Sequence, residues 1–375
     1  MGLKSRLVQI VYRFLRLFPV NPGKVLFFSY YGEQYSGSPK YISRYLDQYS
    51  DLKIVWAFTD PSKHENYTGG AVKFGHFWYY YHLATAGTIV TNYRMTTDFC
   101  KRTNQRYIQT WHSSLRLKMI EQDAEETLPR HYVEMAKTDS TKIDYLLAGS
   151  MKSEEIFRRS FWYDGEIIRC GTPQCDILFE NRAPYLEKVR KAYGIPDGGR
   201  IALYAPTFRK DHDLSVYNID TNALLQALSK RFGGEWYLLM RLHPHLIGKA
   251  DCFSYSNKVI QATSYDDAQE LLCASDVLLS DYSAIMFDFA LTRRPCFLYT
   301  PDLKNYAAND RKLYFHIENL PFSNAADMHG LLSDIQNFSA ADYQNLLENF
   351  LRDIGSFEDG SASRRVCGLI KGDFS

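Results

Sequence analysis

A histidine lies among cations in the stretch QTWHSSLRLKM at residues 109–119. Because an imidazole titrates near neutral pH, His112 could act as a general base toward an attacking hydroxyl group, unless it is one polar residue of an ordinary loop. Arg116 and Lys118 follow closely, and their charges could hold an acidic acceptor or stabilise the departing charge. We predict that His112 is catalytic. The predicted acceptor-binding residues are Ser113, Ser114, Arg116 and Lys118.

The stretch DVLLSDYSAIMFDFAL at residues 276–291 predicts a strand, a polar turn and a helix. Free N–H groups at a helix start, together with the hydroxyl of Ser283, could hold a phosphate group. The carboxylate of Asp288 lies over one turn into the helix and could accept hydrogen bonds from a ribose. Alternatively, Asp281 or Ser283 only caps the helix.

Two further polar groups follow predicted strands. In YAPTFRK at 204–210, Thr207 and Arg209 could contact a nucleotide or phosphate, although Arg209 could equally be a surface residue. In RLHPH at 241–245, Arg241 and His243 end a strand, and His243 could take a proton when neutral or hold a phosphate oxygen when protonated. The predicted substrate-binding residues are Thr207, Arg209, Arg241, Ser280, Asp281, Ser283, Ala284 and Asp288.

Alternating strand and helix patterns must position these residues. Apolar runs and amphipathic helices alternate from residue 24 to about 180, and a second α/β series runs from 200 to 301. A charged helix and a Gly/Pro-rich turn separate the two series between 180 and 200. We predict a Rossmann-like domain at 21–190 and another at 198–375, whose parallel sheets bind ligands in a cleft at the carboxyl ends of the strands.

Composition excludes several classes of protein. The chain has 375 residues with 44 basic and 43 acidic side chains, so a general nucleic-acid binder is not expected. The seven cysteines form no CxxC pair and no Cys/His metal motif, which favours a reduced compartment. No acidic metal motif stands at a predicted strand end, and we expect neither a metal nor another cofactor.

The first 20 residues, MGLKSRLVQIVYRFLRLFPV, predict a basic amphipathic helix. The segment is too short and too charged to span a bilayer, and it lacks the pattern of a secretory signal. We expect this helix to lie on the cytoplasmic face of the cell membrane. The alternative is a helix that packs on the protein's own surface.

Together, these stretches resemble the CDP-glycerol:polyglycerophosphate glycerophosphotransferases of teichoic acid and capsule synthesis. The family motifs QTWHGT…LK, YAPTxR, [KR]LHP and DYSS…D occur here in the same order as QTWH with Leu117–Lys118, YAPTFR, RLHP and DYSAIMFD. KVLFFSYYGEQYSGSPKYI near the start and IIRCGTPQCDIL at 167–178 are also similar to family patterns.

This resemblance implies a GT-B-like fold and transfer of glycerol phosphate or ribitol phosphate from a CDP-alcohol to a lipid-linked (undecaprenyl-diphosphate) saccharide acceptor, with release of CMP. It implies that His112 activates the acceptor hydroxyl and that His243 is a second essential histidine near the diphosphate. Ser283 and Ala284 would then hold the diphosphate, and Asp288 the ribose. Thr207 and Arg209 would line the nucleotide pocket.

Three residues depart from the family pattern. Ser113 replaces a glycine, Gln174 an arginine and Ala284 a serine. Both histidines remain, which favours an active enzyme. The alternatives are a GT-B glycosyltransferase that uses a nucleotide sugar and an inactive scaffold of the wall-synthesis machinery.

Overall fold

The computed structural model describes residues 3–96, 99–209, 214–242, 253–309 and 312–372. The chain divides into two units that are not contiguous in sequence. Unit 1 comprises residues 1–112, 120–176 and 357–375, and unit 2 comprises 113–119 and 177–356. Three segments, 113–119, 177–190 and 357–375, therefore lie in a different unit from the one that the predicted domain boundaries imply.

Unit 1 is built on a seven-stranded parallel sheet in the order β3-β2-β1-β4-β5-β6-β7. Its strands are β1 (Asn21–Phe28), β2 (Lys53–Phe58), β3 (Gly70–Lys73), β4 (Ala86–Thr91), β5 (Arg106–Gln109), β6 (Tyr145–Ala148) and β7 (Glu166–Arg169). Its first five helices are α1 (Leu3–Leu15), α2 (Gly37–Tyr49), α3 (Phe77–Thr85), α4 (Arg130–Ser140) and α5 (Met151–Ser160). The apolar run in β1 and the whole of β4 are buried, as expected for strands covered on both faces.

Unit 2 contains a six-stranded parallel sheet in the order β10-β9-β8-β11-β12-β13. Its strands are β8 (Arg200–Tyr204), β9 (Trp236–Met240), β10 (Val259–Gln261), β11 (Val277–Ser280), β12 (Cys296–Tyr299) and β13 (Ser323–Ala325). Its helices are α6 (Ala183–Tyr193), α7 (Thr221–Phe232), α8 (Ala268–Ala274), α9 (Ile285–Ala290), α10 (Leu303–Asn309), α11 (Met328–Gln336) and α12 (Ala340–Asp353). Strands β8, β9 and β11 are neighbours, so the polar residues that follow them lie at one edge of this sheet.

The last helix, α13 (Ala362–Lys371), returns to unit 1 and packs on α2. The carboxylate of Asp176 accepts hydrogen bonds from the backbone N–H groups of Ala362 and Ser363 at 2.9 and 2.7 Å. Glu358 accepts from the N–H of Thr172 at 2.9 Å. Residues 357–375 were expected in the second domain, but these caps and the apolar face of α13 hold the described part of the segment in unit 1.

Helix α1 packs on α3 through Tyr12, whose ring lies 6.0 Å from that of Tyr80. In the part of the chain that the structure describes, no helix combines the length and the apolar character needed to cross a membrane.

Candidate functional site

His112 lies three residues beyond the end of β5 in unit 1. Its Nδ1 atom is 3.4 Å from the carbonyl oxygen of Asn92, which follows the neighbouring strand β4. Its ring stacks on Tyr93 with centroids 5.3 Å apart and lies 4.3 Å from the ring of Trp111. A proton on Nδ1 would face the Asn92 carbonyl, and Nε2 would then carry the basic lone pair. This arrangement suits a general base.

A buried ionic cluster lies behind the aromatic ring of Trp111. Trp111 meets Phe161 edge-on at 4.9 Å, and the guanidinium of Arg94 lies 3.7 Å from the centre of the Phe161 ring. Arg94 pairs with Glu121 at 2.9 Å and with Asp139 at 3.4 Å. Burial raises the pKa of Asp139 to about 6, and the charge of Arg94 offsets only part of that effect. Sequence reasoning missed this cluster because its members are far apart in the chain.

The residues directly after His112 belong to unit 2. The backbone N–H and the hydroxyl of Ser114 donate to Oδ1 of Asp288 at 3.2 and 2.5 Å, and Gln269 donates to Oδ2 at 2.6 Å. Backbone hydrogen bonds from Met119 to Lys312 and from Tyr314 to Leu117 hold the rest of the segment. The structure thus brings Ser114 and Asp288 together, with both carboxylate oxygens of Asp288 accepting protein hydrogen bonds.

The two cations of this segment differ in exposure. Arg116 is only 3% exposed and donates to the carbonyl of Ser113 at 3.0 Å, and burial lowers its pKa to about 9. Ser113 is itself buried. Lys118 is half-buried, with its ammonium 5.4 Å from the centre of the Tyr306 ring. The expected acceptor-binding cation Arg116 therefore lies inside unit 2, where it supports the loop.

Arg209 is buried between two carboxylates rather than exposed. Its guanidinium pairs with Asp281 at 2.8 Å and with both oxygens of Asp302 at 2.7 and 3.1 Å. Burial alone would lower the pKa of Arg209, but the hydrogen bonds to Asp302 and the charge of Asp281 raise it instead. Asp281 also accepts from the N–H of Thr207 at 2.8 and 3.0 Å. The loops after β8 and β11 are joined by this cluster.

Two residues of this cluster were not predicted. The hydroxyl of Tyr282 donates to Asp302 at 3.0 Å, and the Tyr282 ring stacks on Tyr306 with centroids 3.8 Å apart. Burial raises the pKa of Tyr282. Tyr282 lies within the stretch DVLLSDYSAIMFDFAL at residues 276–291. Asp302 follows β12 in a stretch without a recognised motif, so its role could not be predicted from the sequence.

The turn between β11 and α9 contains the predicted phosphate-binding residues Ser283 and Ala284. The helix predicted within residues 276–291 is Ile285–Ala290, and Ala284 precedes it in helical conformation. The N–H of Ile285 donates to Ser283 Oγ at 3.4 Å, whereas the buried hydroxyl of Ser280 donates to the carbonyl of Ala205 at 2.8 Å. Ser283 and Ala284 are partly exposed, so they stay accessible to a ligand.

Arg241 follows β9 at the same sheet edge, and its guanidinium donates to the carbonyl of Tyr265. The predicted catalytic residue His243 lies outside the described residues. Within the described ranges, no group of three or more His, Cys, Asp or Glu side chains is placed to hold a metal ion.

Two Rossmann-type sheets of parallel strands, each followed by polar residues at the ends of its strands, define a protein of the GT-B-like α/β class. The sequence profile of the CDP-glycerol:poly(glycerophosphate) glycerophosphotransferases matches residues 10–372. The chain belongs to this family, and the predicted family membership is confirmed.

Similar proteins support this assignment. A teichoic acid poly(glycerol phosphate) polymerase of Staphylococcus epidermidis is 32% identical over 94% of this chain, which spans about half (51%) of that relative's length. A polymerase of the same description from Bacillus spizizenii is 31% identical over 84% of each chain. The solved structure of a variant of the wall teichoic acid polymerase TagF soaked with CDPG superposes with a TM-score of 0.85 and 30% identity, covering 98% of this chain and 94% of that one. The predicted GT-B-like fold is confirmed by this likeness.

Proposed function

We propose that this chain transfers a glycerol phosphate or ribitol phosphate unit from a CDP-alcohol to a hydroxyl of a lipid-linked acceptor, releasing CMP, in the synthesis of teichoic acid or a related surface polymer. Family membership over residues 10–372 carries this proposal. The relatives named as poly(glycerol phosphate) polymerases and the TagF structure soaked with CDPG support it. The placement of His112 at a strand end, among aromatic rings and a carbonyl, fits the role of base.

In the proposed reaction, the acceptor oxygen attacks the alcohol-bearing phosphorus of the CDP-alcohol. His112 takes the hydroxyl proton as the new P–O bond forms. The bond from that phosphorus to the bridging oxygen of the diphosphate breaks, and CMP leaves with the negative charge. Positioning and electrostatics supply most of the rate in phosphoryl transfer. We assign His243 to the departing phosphate.

Unit 2 is proposed to bind the donor. Ser283 and Ala284 follow β11 and Arg241 follows β9, the two strands that flank β8 in the parallel sheet, and ligands of such sheets bind at these strand ends. Arg209 acts there as a positioning residue because it is bound by Asp281 and Asp302. The Oγ1 atom of Thr207 is buried and has no hydrogen-bond partner in the described part of the chain, so it is a candidate donor to the nucleotide. For Asp288, a ribose contact would add to or replace its bonds with Ser114 and Gln269.

An assay of nucleotide release tests the activity. Purified protein is incubated with a soluble acceptor analogue and, separately, CDP-glycerol, CDP-ribitol, UDP-sugars and GDP-sugars, and released nucleotides are separated by HPLC. We expect CMP from one or both CDP-alcohols. Turnover of only the nucleotide sugars would favour the glycosyltransferase alternative, and no turnover of any donor would favour the scaffold.

We also propose that the protein docks on the cytoplasmic face of the membrane through α1 and α3. Apolar side chains on these helices are exposed, including Ile10 (64%), Phe14 (62%) and Trp78 (60%). Arg13 and Arg16 lie beside them in sequence, as in helices that bind anionic lipid surfaces.

Liposome sedimentation tests this docking. Phe14→Ser combined with Trp78→Ser removes two exposed apolar side chains, each worth roughly 1.5–3 kcal/mol when buried, so binding to anionic vesicles should fall at least tenfold. Leu346→Ser, on α12 of unit 2 and also exposed, is the matched control. Equal binding by the double variant and the control would refute the proposal.

A further inference from the structure

Three polar groups converge on Gly37, the first residue of α2. Gly37 has a φ of +67°, and a Cβ atom there would lie 2.8 Å from Nδ2 of Asn92, 3.5 Å from Oγ of Ser29 and 3.7 Å from Oε1 of Gln174. A side chain at this position would therefore crowd the amide of Asn92, whereas the hydroxyl of Ser29 already donates to the carbonyl of Ser36 at 2.8 Å. Ser29 and Asn92 follow the adjacent strands β1 and β4, at the sheet edge where His112 follows β5.

The start of α2 is buried and has no side-chain cap. Ser36 occupies the capping position, but its hydroxyl makes no cap bond and instead donates to the side chain of Gln34 at 3.0 Å. The N–H groups of Gly37 and Ser38 precede the first intrahelical donor, and the next residue is Pro39, which has no N–H. Such a helix start favours an anion. Lys40, buried in the same turn, adds a positive charge.

The side chain of Asn92 gives independent support for a ligand site at the start of α2. Its side chain is fully buried, and Oδ1 accepts a hydrogen bond from the N–H of Tyr30 at 2.9 Å. Its Nδ2 atom has no hydrogen-bond partner among the residues that the structure describes, and it points at the bare Cα of Gly37. A buried donor without a partner is costly, so a ligand oxygen or a water molecule is expected there.

We propose that the start of α2 and Asn92 form a phosphate-binding subsite beside His112, which takes the phosphodiester of an acceptor that already ends in a glycerol phosphate unit. The backbone carbonyl oxygen of Asn92 lies 3.4 Å from Nδ1 of His112, while the side-chain amide of Asn92 faces the subsite. In such an acceptor the attacking hydroxyl lies a few bonds from its phosphodiester, so one group could be held while the other meets the base. The Gln174 amide, turned by half a rotation, would add a second donor.

This inference rests on the proposed transfer reaction and makes acceptors that carry phosphate the preferred substrates. The test variant is Asn92→Asp, which keeps an oxygen for the N–H of Tyr30 and the carbonyl for His112 but replaces the Nδ2 donor by a carboxylate oxygen. Asn181→Asp is the matched control, because Asn181 is exposed in unit 2 and its Oδ1 also accepts a backbone N–H. Gly37→Ala is a second variant, which places a methyl group against the amide of Asn92.

Two measurements are made on folded protein, checked by thermal unfolding. In the first, KM is determined with CDP-glycerol and two soluble acceptors, one with and one without a terminal glycerol phosphate. We expect Asn92→Asp to raise the KM of the phosphate-bearing acceptor roughly tenfold or more relative to that of the other, because a hydrogen bond to a charged group is lost. In the second, binding of sn-glycerol 3-phosphate is followed by ³¹P NMR, which needs no turnover. This binding should weaken at least as much.

Several results would overturn the subsite. An unchanged KM ratio would mean that a water molecule occupies the space. A rise in the KM of CDP-glycerol instead would assign the site to the donor diphosphate. If both variants bind sn-glycerol 3-phosphate as the wild-type protein does, the subsite is rejected, even if the wild-type protein releases no CMP. If the wild-type protein releases no CMP but binds sn-glycerol 3-phosphate, and the variants bind it more weakly, the result counts against the transfer reaction alone.

Discussion

The imidazole of His112 is oriented by the carbonyl of Asn92 and by stacking on Tyr93, and these contacts predict the effect of its removal. His112→Ala should lower kcat for CMP release by roughly 10²–10⁴-fold with little change in the KM of the CDP-alcohol, since acid–base groups typically contribute that much. His131→Ala, at an exposed position of α4, should leave the rate unchanged. A His112→Ala protein with wild-type kcat would contradict the assignment of the base.

Arg209 predicts an effect on stability. Its side chain is 5% exposed and balances Asp281 and Asp302, so Arg209→Met would leave two carboxylates without their cation. Removing one partner of a buried ion pair typically costs about 3–5 kcal/mol, and we expect a loss of this order in the free energy of unfolding, measured in urea. Arg130→Met removes an exposed arginine with a helical neighbour as partner and should change little. Equal stability of the two variants would show that the cluster is not a stabilising element.

Among the elements, the loop after β4 is joined to α4 by the buried pair of Arg94 and Asp139, and this pair predicts a pH dependence. Burial raises the pKa of Asp139 from 3.8 to about 6, so between these pH values the folded protein binds more protons than the unfolded chain. Stability contributed by this group is therefore highest below pH 4 and falls as the pH rises to 6.

Asp139→Asn removes the titrating carboxyl group while Glu121 still pairs with Arg94. Relative to this variant, the wild-type protein should lose on the order of 2 kcal/mol of unfolding free energy between pH 4 and pH 6. Urea unfolding at several pH values measures the difference. A difference that stays constant across that interval would mean that Asp139 titrates normally in the folded protein.

For the whole molecule, the two parallel sheets could be predicted because alternating strands and helices are recorded in local patterns. The same holds for the strand ends, and so for the positions of His112, Thr207, Arg241 and Asp281. The partners of these residues could not be predicted, because they are distant in sequence. Asp302 pairs with Arg209 across 93 positions, and Gln269 donates to a carboxylate 19 positions away.

The exchange of segments between units was also beyond sequence reasoning. An amphipathic pattern at 362–371 predicts a helix with one buried face, but it does not say which sheet that face covers. Likewise, Arg116 lies beside His112 in sequence and was expected to meet an acceptor. Backbone pairing of 117–119 with 312–314 places it in unit 2 instead, because strand-like pairing depends on a distant partner.

This exchange predicts that unit 1 cannot be cut from the chain as one piece. A fragment of residues 1–176 would lack α13, and with it the N–H groups that Asp176 binds, the Glu358 contact to Thr172 and the carbonyls of Leu369 and Ile370 that Arg106 contacts at 3.0 and 2.9 Å. The apolar face of α2 that meets Val366 and Ile370 would be exposed to water.

We expect the fragment to unfold without a cooperative thermal transition and to regain one when a peptide of residues 357–372 is added. The same peptide with Val366→Asp should fail to restore it, because a carboxylate would enter the buried face. A fragment that melts cooperatively at the same temperature with and without the peptide would show that unit 1 folds without α13.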